Sequence, residues 1–125
     1  MFELETEHWV MAVHSNPDGN LFGGQTLSWI DENSAILSRQ ITGKRCVTIK
    51  VENVIFHKPI KVGSMIKLKT QVISYGNTSL RLETKIYDLT DTKNDNIVSA
   101  EGIFKMVALD ENGEPTNQWK HGGYI

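Results

Sequence analysis

Only one stretch of this 125-residue chain repeats its apolar residues at helical spacing, and that limits the folds open to it. Leu27, Ile30, Ser34, Leu37 and Ile41 recur at steps of three and four, which predicts a helix from Gly23 to Ile41. At 1.5 Å per residue it spans roughly 27–28 Å. Gly43 stands close to where a left-handed residue ends a helix. Nearly everything else alternates with period two. Thr6 to His14 reads as a strand, with Trp9, Met11 and Val13 on one side. Val47, Ile49 and Val51 alternate with Thr48, Lys50 and Glu52. Val54-Ile55-Phe56 is apolar on both faces, so burial on both is expected there. Pro59 and Gly63 mark a turn before the strand of Ile66, Leu68, Thr70 and Val72. Gly76-Asn77 turns the chain into Leu80, Leu82, Thr84 and Ile86. A polar loop, Asp88 to Asn96, precedes a last strand with Val98, Ala100, Gly102, Phe104, Met106 and Ala108 on one face. Asn112-Gly113 opens a polar tail with no expected structure. The order is strand, helix, then four strands. Short connections predict antiparallel neighbours. One helix has to cover one face of five strands, so the expected class is α+β, a five-stranded antiparallel sheet curled around that helix.

The length fits a single domain over residues 1–125, with the short polar tail from about 112. No apolar run approaches the roughly 18 residues of a membrane span. The start, Met1-Phe2-Glu3-Leu4-Glu5, is acidic, unlike a secretory or transit signal. Cys46 is the one cysteine, so no internal disulfide or cysteine cluster can form, and a cytoplasmic location is expected. No metal-ligand spacing is present, and no metal is expected. The net charge of −2 argues against a nucleic-acid partner. It also hides a strong asymmetry: residues 39–85 carry ten bases against two acids, flanked by acidic ends. A positive middle either attracts an anion or is the wet face of strands.

Three features near the helix bear on chemistry. Phe22-Gly23-Gly24 sits where the helix starts, and first-turn amides carry partial positive charge without internal partners. Glycine there either lets a ligand approach those amides or lets helix and strand pack closely. Asp31 follows Ile30, on or beside the sheet-facing stripe, where it needs partners or a purpose; alternatively it stays wet like Glu32. Asn16 either orients a water or carbonyl or simply makes an Asx turn before Pro17. Cys46 reads as structural and His57 as a surface or interface residue, whereas His14, two residues before Asn16, stays open. Trp9, Trp29 and Trp119 read as core or interface packing.

Taken together, Asn16-Pro17-Asp18-Gly19-Asn20-Leu21-Phe22-Gly23-Gly24 followed by Trp29-Ile30-Asp31 resembles the signature of hotdog-fold acyl-CoA thioesterases, specifically YciA-like hydrolases. Val47-Thr48-Ile49-Lys50-Val51, Phe56-His57-Lys58-Pro59 with Gly63, Gly76-Asn77-Thr78-Ser79 and Phe104-Lys105-Met106-Val107 continue the resemblance, which covers roughly residues 8 to 115. It implies a hotdog fold and hydrolysis of acyl-CoA, with Asp31 as general base or nucleophile. Asn16 would place water or thioester, and the Gly24 N–H would polarise the carbonyl. It implies dimers, often assembled into hexamers, and no cofactor beyond the CoA of the substrate. Phe22 and Gly23 would then border the thioester. Lys58, Lys61, Arg81, Thr78 and Ser79 are the expected CoA contacts, with Lys44 and Arg45 also available.

The helix geometry argues separately for a dimer. Gly24 and Asp31 lie about 10 Å apart along one axis, whereas both have to come within about 3 Å of one carbonyl. Two antiparallel helices, one from each subunit, meet that demand. Two rival functions stand beside hydrolysis. One is a hotdog hydratase or dehydratase, whose expected Asp-x4-His pattern is broken here by Ile36. The other is an acyl-CoA-binding sensor without turnover, against which the retention of Asn16, Gly24 and Asp31 argues.

Overall fold

The computed structural model describes residues 2–90 and 97–121. Its elements run β1 (Glu3–Trp9), α1 (Gly23–Thr42), β2 (Arg45–Phe56), β3 (Met65–Tyr75), β4 (Ser79–Asp88) and β5 (Val98–Leu109). Single 3-10 turns occupy Ala12–His14 and Gln118–His121. The strands form one antiparallel sheet in the order β1-β3-β4-β5-β2. α1 packs against all five strands, so the expected α+β architecture is present. Gly43 ends α1 in the left-handed conformation, at φ 67°, and its N–H donates to the Arg39 carbonyl.

Ile30, Leu37 and Ile41 of α1 meet Ile66, Leu68, Leu80, Leu82 and Ile86 from the middle of the sheet, all at most 1% exposed. Each such side chain contributes about 1.5–3 kcal/mol on burial. A polar chain runs through this core. Thr6 donates to Asn33 Oδ1 (3.1 Å), Asn33 Nδ2 donates to Thr70 (3.3 Å), and the Thr70 and Thr84 hydroxyls lie 2.6 Å apart. Thr70 and Thr84 are completely buried. Thr70→Val keeps the shape but strands the Asn33 and Thr84 groups, so a loss of about 1–3 kcal/mol is expected as a lower denaturant midpoint at unchanged slope.

Several expectations need correction. The first strand stops at Trp9, because Val10 turns to pair with Gly63 and Ser64, and Ala12–His14 closes i→i+3 bonds. β2 and β3 are not neighbours despite their short connection. Residues 57–64 carry the chain across the sheet, leaving β2 on the far edge against β5. That edge position is why Ile55 and Phe56 are 45% and 54% exposed instead of doubly buried. The tail is ordered at Thr116 and Trp119, both buried, with the Trp119 indole N–H on the Thr116 carbonyl at 2.9 Å. Trp29 is also buried, but Trp9 is 60% exposed. Residues 91–96 of the expected polar loop, and 122–125 of the tail, lie outside the described residues. Among the described residues no helix is long and apolar enough to cross a membrane.

Candidate active site

The loop before α1 is built by Asn16. Its side-chain Oδ1 accepts the N–H groups of Asp18 (3.0 Å) and Asn20 (3.1 Å), an Asx turn that Gly19 completes at φ 79°. The turn role raised by the sequence is therefore real, and it leaves the Nδ2 donors of Asn16 for other work. Leu21 N–H donates to Ile60 and Val62 N–H to Gly19, which pins the loop to the segment after β2. That docking encloses a cleft of about 310 Å³ between the start of α1 and the end of β2. Asn16, Gly23 and Thr26 line one side, and Phe56, His57, Lys58 and Pro59 the other.

No side chain caps α1 at Phe22, and the first N–H to find a carbonyl inside the helix is that of Thr26, on Phe22. The amides of Gly23, Gly24 and Gln25 are thus the electropositive end of the helix. A Cβ on Gly23 would sit 3.6 Å from the Phe56 ring, in the cleft wall. One on Gly24 would lie 2.5 Å from Phe22 Cε2, because the exposed Phe22 ring folds back over this glycine.

Asp31 is exposed, on the flank of α1 beside β2. It is not adrift, because the Thr48 hydroxyl of β2 donates to its Oδ1 at 2.5 Å. Thr48 Oγ1 also touches Met106 Sδ at 3.2 Å. Thr48 lies in one of the stretches that carry the family resemblance, but the alternation gives it no site role and reads it as an ordinary outward residue of a strand. His57, expected as a surface or interface residue, has its Nε2 2.8 Å from Glu101 Oε2 at the cleft rim.

The basic residues divide into two groups. Lys58 and Lys61 border a second groove, beside the cleft. Lys44, Arg45, Thr78, Ser79 and Arg81 lie toward the other end of the sheet, where Ser79 pairs with Val107 and Arg45 with Leu109. β2 between the two groups is roughly 35 Å long at about 3.3 Å per residue. One protomer does not bring them together. Arg81 is also engaged already, its guanidinium on Glu52 at 2.9 Å, which holds that carboxyl below the usual range. Thr78 lends its carbonyl to the Ala108 N–H, and Ser79 is 7% exposed. Among the described residues no group of three His, Cys, Asp or Glu could hold a metal ion.

Residues 18–94 match the family model of the thioesterase superfamily. An uncharacterized acyl-CoA thioester hydrolase of Buchnera aphidicola is 33% identical over 84% of this chain and 80% of its own length. The acyl-CoA thioester hydrolase YciA of Escherichia coli is 30% identical over 84% and 82%. Among solved structures, an acyl-CoA hydrolase of Staphylococcus aureus in complex with butyryl coenzyme A superposes with a TM-score of 0.85 at 29% identity, over 91% of this chain and 70% of that one. A hexameric hotdog fold thioesterase of Campylobacter jejuni gives 0.80 at 29% identity, over 94% of both. Solved alanine variants of the Staphylococcus protein replace an asparagine, an aspartate fifteen residues further on and a threonine seventeen beyond that. Asn16, Asp31 and Thr48 stand at the same two spacings.

Proposed function

This chain belongs to the thioesterase superfamily and has its hotdog fold, and from that premise we propose that it is a YciA-like acyl-CoA thioester hydrolase with active sites shared between two protomers. The observation that carries the shared site is Asp31, fixed by Thr48 on an exposed flank two helical turns from the amide end it has to serve. The flank adjoins an edge strand. β2 leaves Val47, Ile49, Val51, Ile55 and Phe56 all between 41% and 54% exposed, a long apolar edge of the kind that recruits a second strand. Antiparallel pairing of β2 with its copy sets the Arg45 end of one protomer against the Phe56 end of the other. It also brings two α1 helices together head to tail. Asp31 of one then faces Asn16 and Gly24 of its neighbour, and Lys44 and Arg45 of one approach Lys58 and Lys61 of the other.

In this arrangement the thioester lies beside Phe22 and Gly23, its carbonyl oxygen on the Gly24 N–H, with an Asn16 Nδ2 donor placing water or carbonyl. Asp31 takes a proton from water as it adds to the thioester carbon, or attacks that carbon itself and forms a mixed anhydride that water then hydrolyses. The C–S bond breaks, CoA leaves as thiolate and takes a proton, and the acid is released. CoA phosphates find Lys58 and Lys61, with Thr78, Ser79 and Arg81 contributing from another copy, Arg81 on condition that it shifts from Glu52. The reaction as written calls for no cofactor, CoA being part of the substrate. We read the assembly as a trimer of such dimers, in keeping with the hexameric relatives. The unpaired half-buried thiol of Cys46 is in keeping with a cytoplasmic setting.

The test is thiol release from acetyl-, butyryl- and octanoyl-CoA, followed with a chromogenic thiol reagent beside ultraviolet absorbance of crotonyl-CoA. Hydrolysis releases thiol from at least one of the first three. Loss of the crotonyl absorbance without thiol would sink the reading in favour of hydration, and tight binding without either in favour of a sensor. Thr48→Val removes one hydrogen bond to a carboxylate, so kcat is expected to fall about tenfold with KM little changed. Steady-state kinetics of that variant check whether Thr48 positions Asp31 or merely lies near it.

A further inference from the structure

His14 is the side chain on which the loop before α1 hangs. Its ring Nδ1 accepts the Met11 N–H at 3.0 Å, and its own N–H donates to the Met11 carbonyl at 2.9 Å. Its carbonyl accepts the N–H of Phe22, the residue that caps α1, at 2.8 Å. The edge of its ring meets buried Trp29 at 4.9 Å between centroids and 69° between planes. Trp29 belongs to α1, two residues before Asp31, and His8 of β1 is stacked on it at 4.3 Å and 17°. One residue therefore joins the entry to the Asn16 loop, the start of α1 and the helical turn that leads to Asp31.

We propose that neutral His14, with its proton on Nε2, is a positioning residue for thioester hydrolysis, and that protonation at Nδ1 releases the Asn16 loop and the first amides of α1 from register. This rests on the roles given above to Asn16 and Gly24. An imidazole nitrogen that accepts an N–H has committed its lone pair, so a proton arriving there displaces the Met11 bond. The charged and titratable groups around it work the same way. His8 lies across the Trp29 ring from His14, and its charged form is disfavoured by burial and by His14, while Glu32 of α1 opposes both. His14 itself touches neither Lys58 nor Lys61, but the loop it anchors is held to Ile60 and Val62 beside them, so the larger loss is expected in turnover and a smaller one in KM.

The experiment uses the full chain and butyryl-CoA, with His14→Phe, His14→Asn and Asn16→Ala measured between about pH 5 and 8. Phenylalanine keeps a ring against Trp29 but removes the acceptor, and kcat is expected to drop about tenfold with KM within about twofold. Asparagine puts an oxygen on the same carbon that carries Nδ1 but does not titrate. His14→Asn keeps an acceptor that takes up no proton, so it should retain most of the turnover at pH 8 and keep it on acidification, where the wild type loses it. Wild-type turnover by His14→Phe, or an unchanged acid limb in His14→Asn, would overturn the proposal. Full activity in Asn16→Ala would instead remove the site assignment beneath it, so the two failures are told apart.

Discussion

Replacing Asp31 with asparagine is expected to cut turnover of acyl-CoA by about 10³-fold, within the 10²–10⁴ range for losing a positioned base. The substitution is close to isosteric. Its carbonyl oxygen can still accept the Thr48 hydroxyl that now reaches Oδ1, so the side chain stays where it is and only its basicity and charge are lost. Because Asp31 is exposed, no buried partner is stranded, and the fold should tolerate the change within about 0.5 kcal/mol. A large drop in kcat at an unchanged denaturant midpoint is therefore the signature of chemistry and not of stability. Thiol release by the purified variant is the measurement. Retention of more than a tenth of wild-type kcat would mean that another group, such as the His57–Glu101 pair at the cleft rim, does the proton transfer. Single-turnover reaction in 18-oxygen water then separates the two routes open to the carboxylate. Direct attack forms a mixed anhydride, and water opening it at the aspartyl carbon leaves label on Asp31, whereas water activation places label only in the acid.

The helix and most of the strands could be read from residue spacing because periodicity is a local property. Gly43 stops α1 for the reason its position suggests, and the Leu80–Ile86 and Val98–Ala108 patterns mark buried faces that the sheet does bury. What spacing does not carry is which strand lies beside which. A connection of eight residues from His57 to Ser64 is long enough to cross the sheet, and it does, so Phe56 ends on an exposed edge. The difference matters for function, because the same residues read as doubly buried turn out to offer a surface to another copy. The site divides in the same way. Asn16, Gly24 and Asp31 stand out by type and spacing within sixteen residues of chain. Thr48 has no such mark beyond its place in a matching stretch, and His14 is marked only by standing two residues before Asn16, since their importance lies in contacts: a hydroxyl seventeen residues from its carboxylate, and a ring nitrogen whose partner is a backbone amide. Arg81 shows the converse. Its type and place in a basic stretch recommend it for phosphate, but Glu52 across the sheet already holds it.

Mixing two inactive variants should restore activity if each site draws on two chains. Asn16→Ala and Asp31→Ala are each expected to be inactive alone. Equal amounts, unfolded and reassembled together, give heterodimers for about half of the dimers. In each heterodimer one site carries both substitutions and the other carries neither, so about a quarter of wild-type turnover returns. The figure is the same for free dimers and for dimers assembled further, provided that the site lies within the dimer. The physical ground is distance. Gly24 and Asp31 are separated by about 10 Å along one helix axis, and an amide donor and a base acting on one carbonyl must each approach to about 3 Å. A single α1 cannot satisfy both, and two antiparallel copies can. The doubly substituted chain mixed with Asp31→Ala has no intact aspartate in any site and should stay silent, which rules out rescue by refolding alone. If the two single variants regain nothing while wild-type chains taken through the same cycle recover fully, the site lies within one protomer. Asp31 would then have to act on a substrate polarised by something other than the Gly24 amide.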